Sequence, residues 1–237
     1  MKDKKARTLR LRETHKQGRD TRSLTATPAD IKNERHHHHH ITFLPGQVAV
    51  LSTADTEPGY FAFASAPEDP ALEFLIKRTT PTADALLHLD TNAEFLLHDI
   101  VGTGFPLDRH HGRDLVMLAM GTGVAPLRSA LRHAMSRPED FGQLFLLYGV
   151  RTPADFCYQR EVATWRAAGV ELREVISQPD GYEWAGSTGY VQSLLDHVLP
   201  ELSAPIALVC GSLEMVAQTR DRLHEMGFAE EDVLTNY

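Results

Sequence analysis

At 237 residues, with 42% hydrophobic and 24% charged side chains, the chain is long enough for two cores of roughly 100 to 130 residues each. No apolar run approaches the roughly 20 residues that span a bilayer, and the N-terminus lacks the apolar stretch of a signal peptide; no membrane span and a cytoplasmic location are expected. Cys157 and Cys210 are the only cysteines, too few for a disulfide framework, a four-cysteine zinc site or a thiolate-ligated iron–sulfur cluster, which leaves any redox chemistry to a bound organic cofactor.

Charge is uneven. Residues 1–35 hold eleven Lys and Arg against five Asp and Glu, a balance of +6 that leaves −14 for the rest of a chain whose net charge is −8. This basic arm has no aromatic residue for stacking and no nucleic-acid motif, so it reads as a solvated terminal strand with polar flanks and no nucleic-acid partner is expected. The run His36 to His40 follows. Consecutive imidazoles cannot all converge on one ion, so the run reads as a solvated or engineered loop and no metal centre is expected.

The first half then reads as short strands between turns: "RTLRLRETH", "TRSLTATP", "QVAVLSTA", "YFAFASAP", "LEFLIKR" and "AEFLLHDIVG". Several alternate apolar with polar residues, which predicts a small antiparallel β-barrel or sandwich. The connection "PLDRHHGRD", Pro106 to Asp114, marks a boundary, giving domains over 1–110 and 111–237. Beyond it strands and helices alternate. "DLVMLAM" precedes a helix near Ala125 to Met135, "QLFLLYGV" one near Ala154 to Ala168, "VELREVIS" leads to "GYVQSLLDHVL", and "PIALVCG" leads to a helix over Leu213 to Met226 before "DVLTNY". Continuous apolar strands between amphipathic helices predict a Rossmann-like parallel sheet covered on both faces.

The turn "MGTGVAP" after the first of these strands has two readings. Its glycines let backbone N–H groups approach a phosphate at a helix N-terminus, or they simply make a tight strand-to-helix corner. It is not the G-x-G-x-x-G fingerprint, because Pro126 and Leu127 occupy the later positions.

The other strand ends carry "YGVR", "GYVQ" and "CGSLEM", and the barrel half contains "PGQVAVLS" and "VGTGFPL". This ordered set resembles the ferredoxin–NADP reductase superfamily, whose segments run GTG-(Ile/Val)-small-Pro, YG-x-R, GYV and CG-P-x-x-M. The likeness extends to dihydroorotate dehydrogenase electron-transfer subunits and to the kiwi fruit protein-like reductase group. It covers most of the chain. It implies a flavin-binding β-barrel domain over 1–110, an NAD(P)-binding α/β domain over 111–237, and hydride transfer between nicotinamide and flavin.

The resemblance also implies roles. Gly121, Thr122, Gly123 and Val124 would line the dinucleotide pyrophosphate, with Pro126 starting the helix. Cys210 and Gly211 would lie beside the nicotinamide, with Met215 from the same motif. Tyr190 would stack on adenine, and Tyr237 would cover one flavin face; Tyr237 and Cys210 are the candidates nearest the reacting atoms. Ser177 precedes Gln178, where NADP-using relatives carry Ser-Arg, so NADH is favoured, with Arg151 arguing for NADPH. On the flavin side the usual R-x-Y-(S/T) motif is replaced: Gly59, Phe61 and Ala62 stand at its positions. Remaining candidate contacts are stacking on Phe61, backbone groups from Phe63 through Ala64 to Ser65, and Lys77 and Thr82 for phosphate. FAD is the expected flavin and FMN the alternative.

The expected function is therefore a flavin-dependent NAD(P)H oxidoreductase. It would pass electrons to an unidentified acceptor, a protein, quinone or small molecule, without an iron–sulfur cluster of its own. The alternatives are a nucleotide-binding regulatory module, or an accessory subunit, that has lost independent flavin binding.

Overall fold

The computed structural model describes residues 6–30 and 41–237; the histidine run at 36–40 lies outside them. Six strands form the N-terminal sheet: β1 (Arg7–Lys16), β2 (Thr21–Pro28), β3 (Val48–Ser52), β4 (Gly59–Ala62), β5 (Leu72–Lys77) and β6 (Glu94–Val101). Their order is β4-β3-β6-β1-β2-β5, and every pairing is antiparallel. A bridge between Phe63 and Phe74 joins the two edges and closes the sheet into a barrel. Period-2 alternation explains the closure: in β5, Leu72, Phe74 and Ile76 point into the barrel core while Leu75 points out into the neighbouring domain. Phe43, Phe63, Phe74 and Phe95 pack in a chain through the barrel core, the first pair stacked and the last edge-on, and helix α1 (Pro81–Leu87) packs Ala83, Leu86 and Leu87 against it.

The second sheet is parallel throughout, in the order β10-β9-β8-β7-β11-β12. Its strands are β7 (Asp114–Met120), β8 (Leu144–Val150), β9 (Val170–Ile176), β10 (Ser187–Thr188), β11 (Pro205–Cys210) and β12 (Val233–Thr235). Helices α2 (Val124–Met135), α3 (Val162–Ala167), α4 (Leu195–Val198) and α5 (Leu213–Glu225) cover its faces. Along β7, Leu115, Met117 and Ala119 enter one core and Val116 and Leu118 the other, as a strand buried on both sides requires. The fold is thus an antiparallel barrel joined to a Rossmann-like α/β unit.

The helix expected over Ala154 to Ala168 forms only from Val162. Phe156, Cys157 and Tyr158 instead run as a buried segment, and Tyr158 adopts the left-handed region at φ 60°. The Cys157 N–H donates to the Tyr148 hydroxyl and the Tyr158 N–H to Gln17 Oε1 of the barrel. Tertiary partners replace the helical ones.

Helix α2 lies between sheet and barrel, which explains why ten of its twelve residues are buried. Arg128, 4% exposed, donates to the Ala64 carbonyl at 2.7 Å, forms a bidentate pair with Glu161, meets Glu73 at 3.1 Å, and lies over the Tyr158 ring at 4.3 Å. Ser129 donates to the Ser65 carbonyl and accepts from the Gly46 N–H. Arg132 holds Asp69 through two bonds. One helix therefore locks the barrel's Ala64–Asp69 turn against the α/β unit, through charge-assisted bonds whose partners are largely shielded from water.

Candidate functional site

In an open parallel sheet, ligands bind outside the carboxyl ends of the strands where the strand order reverses. Here that point lies between β7 and β11, because β7 connects to β8 on one side and pairs with β11 on the other. The Gly121–Gly123 turn ends β7, and Cys210–Gly211 ends β11.

The two glycines of the turn do different work. Gly121 has φ +57°, and a Cβ built on it meets nothing within 4 Å, so its α-carbon faces open space. A Cβ on Gly123 would lie 2.3 Å from the Cys210 carbonyl oxygen, so the turn can rest on β11 only with glycine there. Residues Gly121–Gly123 form a 3-10 turn running straight into α2, and no side chain caps this N-terminus. Its leading N–H groups are left for an external acceptor. The Val124 N–H is donated to the Gly121 and Thr122 carbonyls, and Val124 is fully buried, so of the expected pyrophosphate residues it is the one turned inward. Pro126 does not start the helix: α2 begins at Val124, and Pro126 sits in the first turn, where a missing N–H is tolerated, packed against Gly46.

Across the crevice, burial pushes the Cys210 thiol up to about 12, so it stays protonated and offers a small neutral surface. Met215, 4% exposed, supports Gly211 from beneath: its Sδ would be 2.8 Å from a Cβ there. Tyr190 is 72% exposed just before the 3-10 turn Val191–Leu194, free to stack on a flat ligand. Ser177 donates its N–H to the Val150 carbonyl, and Gln178 donates its own to Arg151, which brings Arg151 beside the pair. The Arg151 side chain is exposed and makes no ion pair among the described residues.

The C-terminal segment is stitched to the barrel. Asn236 donates from Nδ2 to the Gly46 carbonyl, Thr103 donates to the Thr235 carbonyl, and a Cβ on Gly102 would lie 2.6 Å from the Asn236 oxygen. This presents Tyr237, 55% exposed, at the seam; partial burial and the nearby Cys210 raise its phenol pKa.

The barrel side departs from expectation. Phe63 is fully buried in the barrel core with its N–H donated to the Gln47 carbonyl, and the Ala64 N–H is donated to Glu73. The Ser65 hydroxyl accepts from the Glu73 N–H, and its carbonyl accepts from Ser129. Thr82 donates to the Glu57 carbonyl, and α1 is capped by Thr80. These groups are thus engaged within the barrel and the seam. Phe61 and Ala62 are half-buried, and the Phe61 ring lies along Gly59, 3.0 Å from where a Cβ would be. Lys77 is exposed at the end of β5, near enough to Cys157 to oppose the rise that burial gives that thiol. The residues present thus fit a dinucleotide along its length. For a flavin they fit the ring, through Phe61 and Tyr237, better than the phosphate end. Sequence reasoning missed Arg128, Ser129, Tyr148 and Glu161; the one signal was the polar pair "RS" within the apolar run "VAPL…AL" of α2.

Residues 117–221 match the oxidoreductase NAD-binding domain family. The chain is 30% identical over 198 residues to the anthranilate 1,2-dioxygenase electron transfer component of Acinetobacter baylyi, covering 80% of this chain and 56% of that protein. It is 29% identical over 189 residues to fruit protein pKIWI502 of Actinidia deliciosa, covering 75% of this chain and 59% of the relative. The chain therefore spans little more than half the length of these relatives. In three dimensions it is similar to a ferredoxin NADP+ reductase from Neisseria gonorrhoeae solved with bound FAD and NADP, with a TM-score of 0.79, 19% identity and 98% of both chains covered. Fold and sequence together define a barrel-plus-nucleotide-domain reductase architecture. Residues 117–221 thus carry the match to the NAD-binding oxidoreductase domain, and the chain as a whole is similar in sequence and fold to reductases of the ferredoxin–NADP reductase type.

Proposed function

We propose that this chain is a flavin-dependent NAD(P)H oxidoreductase, taking hydride from a nicotinamide dinucleotide and passing electrons to a separate acceptor. One observation carries the reading: the open Gly121–Gly123 turn, the Cys210–Gly211 strand end and the exposed Tyr237 converge at the reversal point of the sheet, against the barrel. In this reading the barrel, within 1–110, takes the flavin, and the α/β unit, within 111–237, takes the dinucleotide. A flavin bound there supplies the hydride acceptance and stepwise electron release that no side chain provides. The protein's own part is placement, since reacting atoms must sit about 3 to 3.5 Å apart.

The Gly121–Gly123 backbone holds the pyrophosphate, Tyr190 holds the adenine, and Tyr237 yields its place over the flavin to the nicotinamide. Neutral Cys210 and Gly211 let that ring approach closely. NADH is the preferred donor, because Gln178 offers no charge to a 2′-phosphate; Arg151 beside it is the counterweight. FAD is the flavin, with FMN as the alternative. The electron-transfer role of the Acinetobacter relative supports an acceptor that is another protein.

A second reading has its own support. With Gly59 in place of a phosphate-binding arginine and Thr82 engaged by Glu57, the chain would bind nucleotide without retaining flavin, as a regulatory module or a subunit completed by a partner. The visible spectrum of the purified protein, before and after anaerobic NADH and then NADPH, separates the two. Flavin bands that bleach with NADH first establish the reductase. Protein that stays colourless and takes up neither FAD nor FMN overturns it.

A further inference from the structure

The peptide that joins Gly121 to Thr122 decides whether the turn offers a donor or an acceptor to a bound phosphate. In a trans peptide the C=O and the following N–H point in opposite directions, and no peptide in the described chain is cis. With the Gly121 carbonyl turned inward, the Thr122 N–H must turn outward. With the peptide flipped, a carbonyl oxygen would face the phosphate and repel it. Gly121 itself does not decide this, because glycine adopts either sign of φ readily.

The carbonyl is in fact held from inside. The Tyr148 hydroxyl donates to it at 3.1 Å, alongside the Val124 N–H. Tyr148 comes from β8, is 1% exposed, and has its ring fixed edge-on against Phe156 at 5.1 Å. Its oxygen also accepts the Cys157 N–H at 3.2 Å, which directs the hydroxyl proton to Gly121. Burial raises the phenol well above its ordinary range, so the proton is retained at any working pH. The Thr122 N–H finds no acceptor among the described residues. Tyr158 provides an internal contrast: its hydroxyl is equally buried and has no hydrogen-bond partner among the described residues.

We propose that Tyr148 is the positioning residue of the dinucleotide turn, pinning the Gly121 carbonyl inward so that the Thr122 N–H is presented to a pyrophosphate. This rests on the nucleotide-binding reading above, and the test keeps the two apart. The probe is ADP-ribose, which carries the pyrophosphate but cannot reduce a flavin, with adenosine as the pyrophosphate-free control, both titrated calorimetrically. Tyr148→Phe keeps the ring and removes the hydroxyl donor, leaving the Gly121 carbonyl only the Val124 N–H; it weakens ADP-ribose binding about ten-fold, as expected for loss of one buried hydrogen bond, and leaves adenosine unchanged. Tyr158→Phe, the matched control, leaves both unchanged.

Equal ADP-ribose affinity in wild type and Tyr148→Phe overturns the inference alone, as does a loss shared by adenosine, which marks a general structural role. A wild-type protein that binds neither ADP-ribose nor NADH overturns the nucleotide-binding reading and this inference with it. Amide exchange in the wild type supplies a readout independent of the variant's folding. The Thr122 N–H exchanges freely without ligand and is protected by ADP-ribose; exchange unaffected by the ligand overturns the inference.

Discussion

The dinucleotide side and the flavin side of the seam are built on different principles. At the end of β7 the binding surface is backbone: a glycine with an open face, a second glycine pressed against β11, and N–H groups aimed by a helix start. On β4 the expected flavin contacts rest on side chains, and there Gly59 carries no charge and the Phe61 ring lies along it. A backbone site can be lost only by deforming the fold, whereas a side-chain site can be lost by substitution with the fold intact. On the proposed reading, the difference explains how one chain can keep a nucleotide turn beside a reduced flavin grip.

The most severe break in that contrast comes from Gly123→Ala. The new methyl would overlap the Cys210 carbonyl, a backbone atom with no freedom to move aside, so the turn must lift off β11. Overpacking of this kind costs about 1–3 kcal/mol. Because the displaced atoms are those proposed to hold the pyrophosphate, dinucleotide affinity is expected to fall by about 100-fold, the upper end of that range. Calorimetric titration with ADP-ribose and a thermal melt check both effects. Full binding with an unshifted melting temperature would show that the turn is softer than its contacts indicate.

The same division decides what could be read before the structure. Backbone sites leave glycines, and "GTG" and "CG" are visible at the ends of apolar strands; the strands "TRSLTATP" and "LEFLIKR" were legible from their alternation, as were the barrel and the parallel sheet. The seam was not legible. Arg128 reads as a surface residue of an amphipathic helix, and nothing local says that Glu73, 55 positions earlier, and Glu161, 33 positions later, converge on it. Nor does local pattern show that Phe63 turns into the barrel and that the Ala64 and Ser65 carbonyls are claimed by α2. The segment 156–158 looked helical because its competitors for hydrogen bonding, Gln17 and the Tyr148 hydroxyl, are distant in sequence.

Gly59→Arg sharpens the contrast from the other side. The position lies on an ordinary strand, and the nearest obstacle to a Cβ is the edge of the Phe61 ring at 3.0 Å, a side chain that can rotate. A restored guanidinium can form charge-assisted bonds to a flavin phosphate, worth about 1.5–3 kcal/mol. Affinity for FAD therefore rises about ten-fold, read by quenching of flavin fluorescence on titration, while ADP-ribose affinity is unchanged. No gain in flavin affinity would mean that a bound flavin's phosphate lies away from β4.

The smallest effect near neutral pH concerns the thiols behind the nucleotide turn. Burial pushes Cys157 up to about 11 and Cys210 up to about 12, from an ordinary 9.0. Both groups hold in the folded state a proton that the unfolded chain releases, so stability falls as pH rises above about 9 and continues to fall until the folded values are passed. Below that range neither thiol titrates in either state, and nucleotide binding is indifferent to them. The urea midpoint should be level from about pH 7 to 8.5 and decline above about pH 9, with Cys210→Ala declining less steeply. A midpoint that stays level through about pH 10.5 would mean that the thiols are better solvated than their burial implies, and that the crevice floor beneath the nicotinamide position is open to water.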